Sequence, residues 1–209
     1  MTKKWTIFLI ILAILIMAGF GYEYVKKINN KKFLSQLKGE VVFVRRDNGV
    51  LNIYKINANG TGLRMLYHNE DFVNSNSRRP KWSIDGSQIY FTAMKNGQWT
   101  TFVMDKDGSN VQVLLGTPNL PEKFKEENLV VEKGNVYWKD ESGKLHLVYR
   151  HWFYNYKLNP GASEASWGPD KKYIIFDVCG LFGRCKIMIA DKSGQVAELT
   201  KGQQPDWKY

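Results

Sequence analysis

The chain has 209 residues, a formal net charge of +10, and 44% hydrophobic and 14% aromatic side chains. This composition excludes an intrinsically disordered chain, and the length suits one folded domain with a short additional segment. Nucleic-acid binding is not indicated either, because residues 1–32 hold six lysines and one glutamate and so carry half of the excess charge.

An uncharged run of eighteen residues, WTIFLIILAILIMAGFGY, occupies positions 5–22. As a helix rising about 1.5 Å per residue, it just spans a hydrocarbon core of roughly 30 Å. We therefore expect residues 1–25 to form a transmembrane anchor in the cytoplasmic membrane, flanked by lysines that suit lipid headgroups. A cleaved signal peptide is the alternative, although no clear Ala-x-Ala cleavage site follows the run.

The lysine flanks do not decide the orientation of this segment, because both sides carry lysines. An extracytoplasmic domain is expected, because only four residues precede the run and because the two cysteines suit an oxidising compartment. Residues 26–39, KKINNKKFLSQLKG, are expected to form a polar stalk. The folded domain is expected to occupy residues 40–209.

From Glu40 onward, short apolar runs alternate with segments rich in Gly, Asn and Asp. Period-two alternation of β-branched and aromatic residues predicts strands, and the intervening segments suit hairpin turns. No long amphipathic helix is predicted, so the domain is expected to be all-β. The predicted strands are EVVFV (40–44), LNIYKI (51–56), QIYFTAM (88–94), WTTFVM (99–104), VQVLL (111–115), NVYW (135–138), LHLVY (145–149), YIIFDV (173–178) and KIMIA (186–190).

The domain contains an internal repeat in which a tryptophan precedes an aspartate by three residues and a strand follows. Trp82, Trp167 and Trp207 mark three copies, and Phe124 falls where a further copy is expected, giving spacings of 42, 43 and 40 residues. A four-stranded propeller blade takes roughly 40–45 residues. We therefore predict a small β-propeller of about four four-stranded antiparallel blades. The copies are RPKWSIDGSQIYF (79–91), EASWGPDKKYIIF (164–176) and the start QQPDWKY (203–209).

The two ends of the domain complement each other. Residues 40–67 supply three strands without a tryptophan-bearing inner strand, and residues 203–209 supply such a strand without a blade. We predict that the C-terminal segment pairs with residues 40–44 as the innermost strand of the first blade, which leaves no exposed sheet edge there. A disordered C-terminal tail is the alternative.

The second predicted blade, residues 79–115, resembles the TolB-like (WD-like) propeller repeat, whose pattern is Pro-x-Trp-Ser-Pro-Asp-Gly, two strands, Asp-x-Asp-Gly and a last strand. The fourth blade matches it fairly well, the first partly and the third poorly, and Ile84 replaces the usual proline. The resemblance implies a propeller that engages other envelope proteins. It specifies the fold more than the ligand, and similar propellers also accompany serine peptidases and glycan-acting enzymes.

Two cysteines, Cys179 and Cys185, flank the turn GLFGR between two predicted strands. Their spacing, with no second Cys or His pair nearby, does not suit a structural zinc site. Because a hairpin brings such positions opposite each other, we predict a disulfide across the turn. Two free thiols are the alternative.

The sequence carries no recognisable catalytic motif. G-x-S-x-G, H-E-x-x-H and P-loop patterns are absent, and the three histidines, His68, His146 and His151, share no spacing. Asp85 and Asp170 follow blade tryptophans and are expected to cap turns. No catalytic residue, metal site or cofactor is predicted.

The residues just before each blade tryptophan are expected to approach the mouth of the propeller, where polar groups converge. Such a place is the usual position for a ligand or partner. We expect a non-catalytic binding or scaffold propeller that engages an envelope protein or a glycan, with no nucleic-acid partner. The alternative is an enzyme or enzyme remnant acting on peptide or glycan. The candidate binding residues are Arg78, Arg79, Glu164, Gln203 and Gln204.

Overall fold

The computed structural model describes residues 3–68, 77–115, 128–151, 161–180 and 183–208. These residues form one helix and fifteen strands, which confirms the prediction of an all-β domain preceded by a helix. The elements are α1 (Lys3–Ser35), β1 (Glu40–Asp47), β2 (Val50–Asn57), β3 (Arg64–Tyr67), β4 (Ser77–Trp82), β5 (Gln88–Lys95), β6 (Gln98–Asp105), β7 (Gln112–Val113), β8 (Leu129–Glu132), β9 (Asn135–Lys139), β10 (Leu145–Tyr149), β11 (Gly161–Trp167), β12 (Tyr173–Cys179), β13 (Cys185–Asp191), β14 (Val196–Lys201) and β15 (Gln203–Lys208).

Helix α1 corrects the prediction of a membrane anchor. Among the described residues, no helix has the combination of length and apolar character that a membrane crossing needs. The uncharged run at 5–22 continues without a break into a second half that carries Lys26, Lys27, Lys31 and Lys32. The predicted single-pass location in the cytoplasmic membrane, with an extracytoplasmic domain, is therefore wrong, and the membrane has no support as a partner.

The C-terminal end of α1 packs against the β-sheets. Phe33 and Leu34 of the helix, and Leu37 just after it, are buried in one apolar cluster with side chains of β12, β13, β14 and β15. The side chain of Asn30 also bonds to both backbone groups of Glu198 on β14. The segment expected to be a polar stalk thus contacts the folded part directly, and the limits 1–25, 26–39 and 40–209 stay predictions.

The strands form four antiparallel sheets, which we call blades one to four in chain order. The order is β15-β1-β2-β3 in blade one, β4-β5-β6-β7 in blade two, β8-β9-β10 in blade three and β11-β12-β13-β14 in blade four. Contacts between described strands join blade three to four, four to one and one to two in a propeller-like arrangement. A complete ring stays a prediction.

The C-terminal strand closes the first blade as predicted. β15 pairs antiparallel with β1, with Val41 opposite Trp207 and Val42 opposite Asp206. The indole Nε1–H of Trp207 donates to the Lys38 carbonyl at 3.0 Å. The edge of β1 is therefore covered by a strand that is distant in sequence, and the two ends of the domain hold each other.

The blade tryptophans mark the packing between neighbouring blades. Trp82 and Trp207 are 5% and 9% exposed, and Trp167 is half-buried. Trp82 lies in the apolar cluster that joins blades one and two, and Trp207 in the one that joins blades four and one. Both indoles therefore pack between neighbouring blades. Because such rings bury a large apolar area, they fix the positions of the inner strands.

The described strands of blade three correspond to the second, third and fourth strands of the other blades. The turn after β9 is closed by a bond from the Asp140 N–H to the Lys144 carbonyl, and Asp105 and Asp191 close the same turn after β6 and β13. The contacts agree, because β11 packs on β8 and β9. The position expected for the inner strand of blade three, at Phe124, lies outside the described residues.

The predicted disulfide is present. Cys179, at the end of β12, faces Cys185, at the start of β13, and their sulfur atoms are bonded. The bridge joins the two central strands of blade four at the end where the inner strands begin. It therefore lies beside the candidate binding residues.

Candidate binding site at the start of the inner strands

The five candidate residues lie at irregularities of the three described inner strands. The register of strand pairing shifts at one place in each strand. The shift falls between Arg78 and Lys81 in β4, between Ala162 and Ala165 in β11, and between Gln203 and Asp206 in β15. Each shift is a β-bulge, in which extra residues on one strand face fewer residues on its partner. Bulges change the direction of the side chains that they carry and are enriched near functional sites.

Two of the bulged residues hold a strained backbone. Arg79 and Gln204 have φ angles of 51° and 54° inside their strands, and each precedes a proline, Pro80 or Pro205. Left-handed backbone costs about 1–3 kcal/mol for a residue other than glycine, and a following proline restricts the backbone further. The same unusual geometry thus occurs at equivalent positions of blades two and one, each three residues before the blade tryptophan.

A side chain links these two bulges. The Arg79 backbone N–H donates to Gln204 Oε1 at 3.0 Å, and the Gln204 backbone N–H donates to Asp177 Oδ2 at 3.0 Å. Asp177 lies on β12 of blade four. One chain of hydrogen bonds therefore runs across three blades and holds both strained residues in place.

Asp177 is the organising residue of this site. It is 1% exposed, and its Oδ1 accepts from the Ser163 hydroxyl at 2.7 Å, the Ser163 N–H at 3.3 Å and the Glu164 N–H at 3.1 Å. With Gln204, these donors replace the water that a buried carboxylate loses, so they meet the requirement for burying a charged group. The carboxylate thereby joins the bulge of β11 to the bulge of β15.

Sequence reasoning missed Asp177, although a signal was present. The strand YIIFDV is apolar except for this aspartate. Asp177 lies three residues after the residue that pairs with the blade tryptophan. The residues at this position are Thr92 in blade two and Val44 in blade one. An ionisable residue at a position that is uncharged in its sister blades is a sign of a specific polar role.

The two arginines present exposed guanidinium groups. The Arg78 guanidinium lies over the Trp99 ring, with Cζ 4.6 Å from the ring centroid, and Trp99 is 48% exposed. Within the described ranges, neither Arg78 nor Arg79 forms an ion pair. Glu164 is also exposed, and its side chain is unpaired there as well.

The structure therefore brings the candidate residues together to different degrees. Arg79, Glu164 and Gln204 are joined through hydrogen bonds on and around Asp177. Gln203 lies beside the disulfide, with its Oε1 3.4 Å from Cys185 Sγ, and Arg78 is held by Trp99. A binding role for these five residues stays a prediction.

The opposite end of blades one and two carries a second charged network. Lys55, whose side chain is 9% exposed, pairs with Glu40 at 2.5 Å, and Lys208 lies 3.5 Å from the same carboxylate. Burial opposes ionisation of Glu40, but the bonds and charges of the two lysines outweigh it and lower the pKa of its carboxyl. The Lys208 ammonium also lies 4.1 Å from the Trp82 ring centroid and donates to the Gly86 carbonyl. These groups are mutually paired and hold the two blades together.

Asp85 has the turn-capping role that the sequence predicts, and His146 packs against a neighbouring strand. Asp85 accepts hydrogen bonds from the Ser83 hydroxyl and from the backbone and hydroxyl of Ser87, so it caps its turn. His146 stacks on Trp138 and bonds to Asp140. In the part of the chain that the structure describes, no three His, Cys, Asp or Glu side chains are grouped so that they could hold a metal ion.

No family model matches the chain, and no curated protein matches it. Solved structures similar to it include TolB from Acinetobacter baumannii, with 13% identity, a TM-score of 0.33, and coverage of 82% of this chain and 44% of that one. A protein assigned as TolB from Agrobacterium tumefaciens has 15% identity and a TM-score of 0.32, covering 79% and 64%. A prolyl endopeptidase has 15% identity and a TM-score of 0.31, covering 80% and 29%.

The chain thus spans less than two thirds of the length of each of these proteins. At these identities and TM-scores, the structural similarity is only partial. The propeller-like description of the chain rests on its own sheets and on the contacts between them.

Proposed function

We propose that the protein is a non-catalytic binding module whose partner docks where the inner strands begin. We call this place the mouth surface and define it by the candidate residues Arg78, Arg79, Glu164, Gln203 and Gln204. The observation that carries the proposal is an energetically costly backbone arrangement: two residues with strained φ angles and one buried carboxylate fix the bulges from which the polar side chains project. Strain of this kind concentrates at functional sites.

The polar chemistry of the mouth surface favours binding over catalysis. Asp177 is the buried carboxylate there, and four donors already occupy its oxygens. A general base needs a free lone pair within reach of its substrate. A glycosidase needs two carboxyl groups free to act on one bond. An enzyme or enzyme remnant acting on peptide or glycan is the alternative, and it would require residues other than these.

A protein partner is favoured over a glycan. Sugar rings bind on open aromatic faces, whereas the guanidinium of Arg78 lies over a face of Trp99. Trp82 and Trp207 are buried between blades. The mouth surface instead offers guanidinium, carboxylate and amide groups, which suit the polar rim of a protein interface. An envelope protein remains the class of partner that we propose.

Site-specific photo-crosslinking tests this function. A benzoylphenylalanine replaces Glu164 in the full chain, and a matched variant carries it at Glu141, in the exposed turn after β9 at the opposite end of the blades. Irradiation in cells is expected to give a discrete protein adduct from position 164 and none from 141. Equal adducts from both positions, or none from position 164, would argue against docking at the mouth surface.

A further inference from the structure

We infer that the mouth surface recognises a carboxylate-rich peptide segment of its protein partner, with the guanidinium groups of Arg78 and Arg79 as the anchoring donors. This inference rests on the proposed function and specifies the chemistry of the partner. It follows from the pairing, the orientation and the surroundings of the two arginines.

The first step is that no acidic side chain among the described residues pairs with these guanidinium groups. Several other basic side chains do have an acidic partner, among them Arg45 with Asp47, Lys81 with Asp206, and Lys186 with Glu198. Across the described residues, Arg78 and Arg79 have no such pair, and Glu164, exposed on the inner strand of blade four, has none either. A guanidinium carries five N–H donors, and no carboxylate among the described residues accepts from those of Arg78 or Arg79, so a carboxylate of another molecule is a suitable acceptor.

The second step is that contacts present before binding hold the guanidinium of Arg78 and the backbone of Arg79. Trp99 supports the flat face of the Arg78 guanidinium, which leaves the edge donors free in the plane where a carboxylate accepts two hydrogen bonds. The Arg79 backbone is fixed by its bulge and by its bond to Gln204. Holding donors in place lowers the entropy cost of binding, so the arrangement favours a specific contact over diffuse charge attraction.

The third step separates an acidic peptide from a nucleic acid. Glu164 is exposed at the same end of the inner strands, and its backbone is linked to that of Arg79 through Asp177 and Gln204. An unpaired carboxylate there repels a continuous chain of phosphates. An acidic peptide differs, because its backbone N–H groups can donate to Glu164 and its carbonyl oxygens can accept from the amide of Gln204.

The surrounding charge also favours an acidic partner. Lys95, Arg184 and Lys201 are exposed at strand ends or turns on the same end of blades two and four. Positive groups around a site steer an acidic segment toward it and raise the rate of association.

The test uses the full chain and a short fluorescein-labelled peptide of Asp, Glu and Gly, with an otherwise identical peptide of Asn, Gln and Gly as its neutral counterpart. Fluorescence anisotropy at low salt is expected to show binding of the acidic peptide and at least about tenfold weaker binding of the neutral one. R78Q and R79Q are each expected to weaken acidic-peptide binding about tenfold or more, the loss expected for one charge-assisted pair. R64Q is the matched control, because Arg64 is exposed at the start of β3, opposite Lys55 and at the far end of blade one from the mouth surface; it should change the affinity less than about twofold.

The outcomes separate this inference from the proposed function. Equal binding of both peptides, or equal losses in R64Q and the two mouth variants, overturns the inference. Stronger arginine-dependent binding of a single-stranded DNA oligonucleotide of equal charge overturns it as well. If position 164 still crosslinks to a protein in any of these cases, docking at the mouth stands and only the acidic chemistry fails. If R79Q unfolds, R78Q and W99L decide, since W99L removes the support of Arg78 and is expected to weaken binding several-fold.

Discussion

The buried carboxylate of Asp177 accepts a hydrogen bond from the backbone N–H of Gln204, a residue on the neighbouring blade. The same carboxylate accepts from Ser163 and Glu164 on its own blade. The contact therefore does two things. It completes the seam between blade four and the C-terminal strand, and it fixes the bulges that carry exposed polar side chains. Stability and the geometry of the mouth surface depend on one residue.

Asp177→Ala is expected to destabilise the protein by about 3 kcal/mol or more, because it removes the buried acceptor of four hydrogen bonds. Chemical denaturation measures the loss. Asp170→Ala is the control, since Asp170 is exposed and caps a turn through the Lys172 N–H; it should cost about 1 kcal/mol or less. Equal losses of stability in the two variants would mean that the buried network stabilises the protein no more than an ordinary turn cap does.

The closure of blade one gives a second prediction. Trp207→Ala is expected to cost roughly 3–5 kcal/mol, because it leaves a cavity between blades and removes the bond to Lys38. Removal of residues 203–209 should cost more and cause aggregation, because it exposes the edge of β1 and deprives Asp177 of the Gln204 donor.

Thermal unfolding and size-exclusion chromatography measure both effects. Trp99→Ala is the matched control, since this indole is 48% exposed. It should lower the melting temperature much less than Trp207→Ala does. A truncated chain that melts like the full one and stays monomeric would contradict the closure.

The spacing of the tryptophans predicted the sheets and the role of β15, because indoles that pack between blades must recur at the length of a blade. Trp82 and Trp207 satisfy that rule directly. The cysteine pair was predictable for a similar local reason, since a hairpin puts its flanking positions opposite each other. Both inferences depend on features that repeat or lie close together in sequence.

Other features depend on contacts between distant segments, which no local pattern reveals. The role of Asp177 requires the bulge at Ser163 and the return of Gln204 from the next blade. The prediction of a membrane anchor was wrong because it considered only the uncharged run, whereas the helix continues beyond that run to Ser35. The pairing of Asn30 with Glu198 joins residues 168 positions apart in sequence.

The turn before β5 gives a prediction about pH. Hydrogen bonds from the Ser83 hydroxyl, and then from the backbone and hydroxyl of Ser87, lower the pKa of Asp85 to about 2. Because the folded pKa lies below the unfolded value of about 3.9, the stability that Asp85 contributes is present above that value and is lost as the pH falls through about 2. Ser83→Ala is expected to raise the pKa of Asp85 toward the unfolded value, as measured by carbon-detected NMR titration. Ser193→Ala, in a turn of blade four, should leave it unchanged.

The last prediction concerns the outer edge of blade four. Asn30 Nδ2 donates to the Glu198 carbonyl at 2.8 Å, and the Glu198 N–H donates to Asn30 Oδ1 at 3.0 Å, so one side chain occupies both backbone groups of the outer strand β14. Asn30→Ala is expected to cost about 1–2 kcal/mol and to speed hydrogen exchange of the Glu198 amide, because that amide then faces solvent. Asn29→Ala is the matched control, since Asn29 is exposed on the same turn of α1; exchange at Glu198 should not change. Equal exchange rates in wild type and Asn30→Ala would show that α1 does not protect this edge.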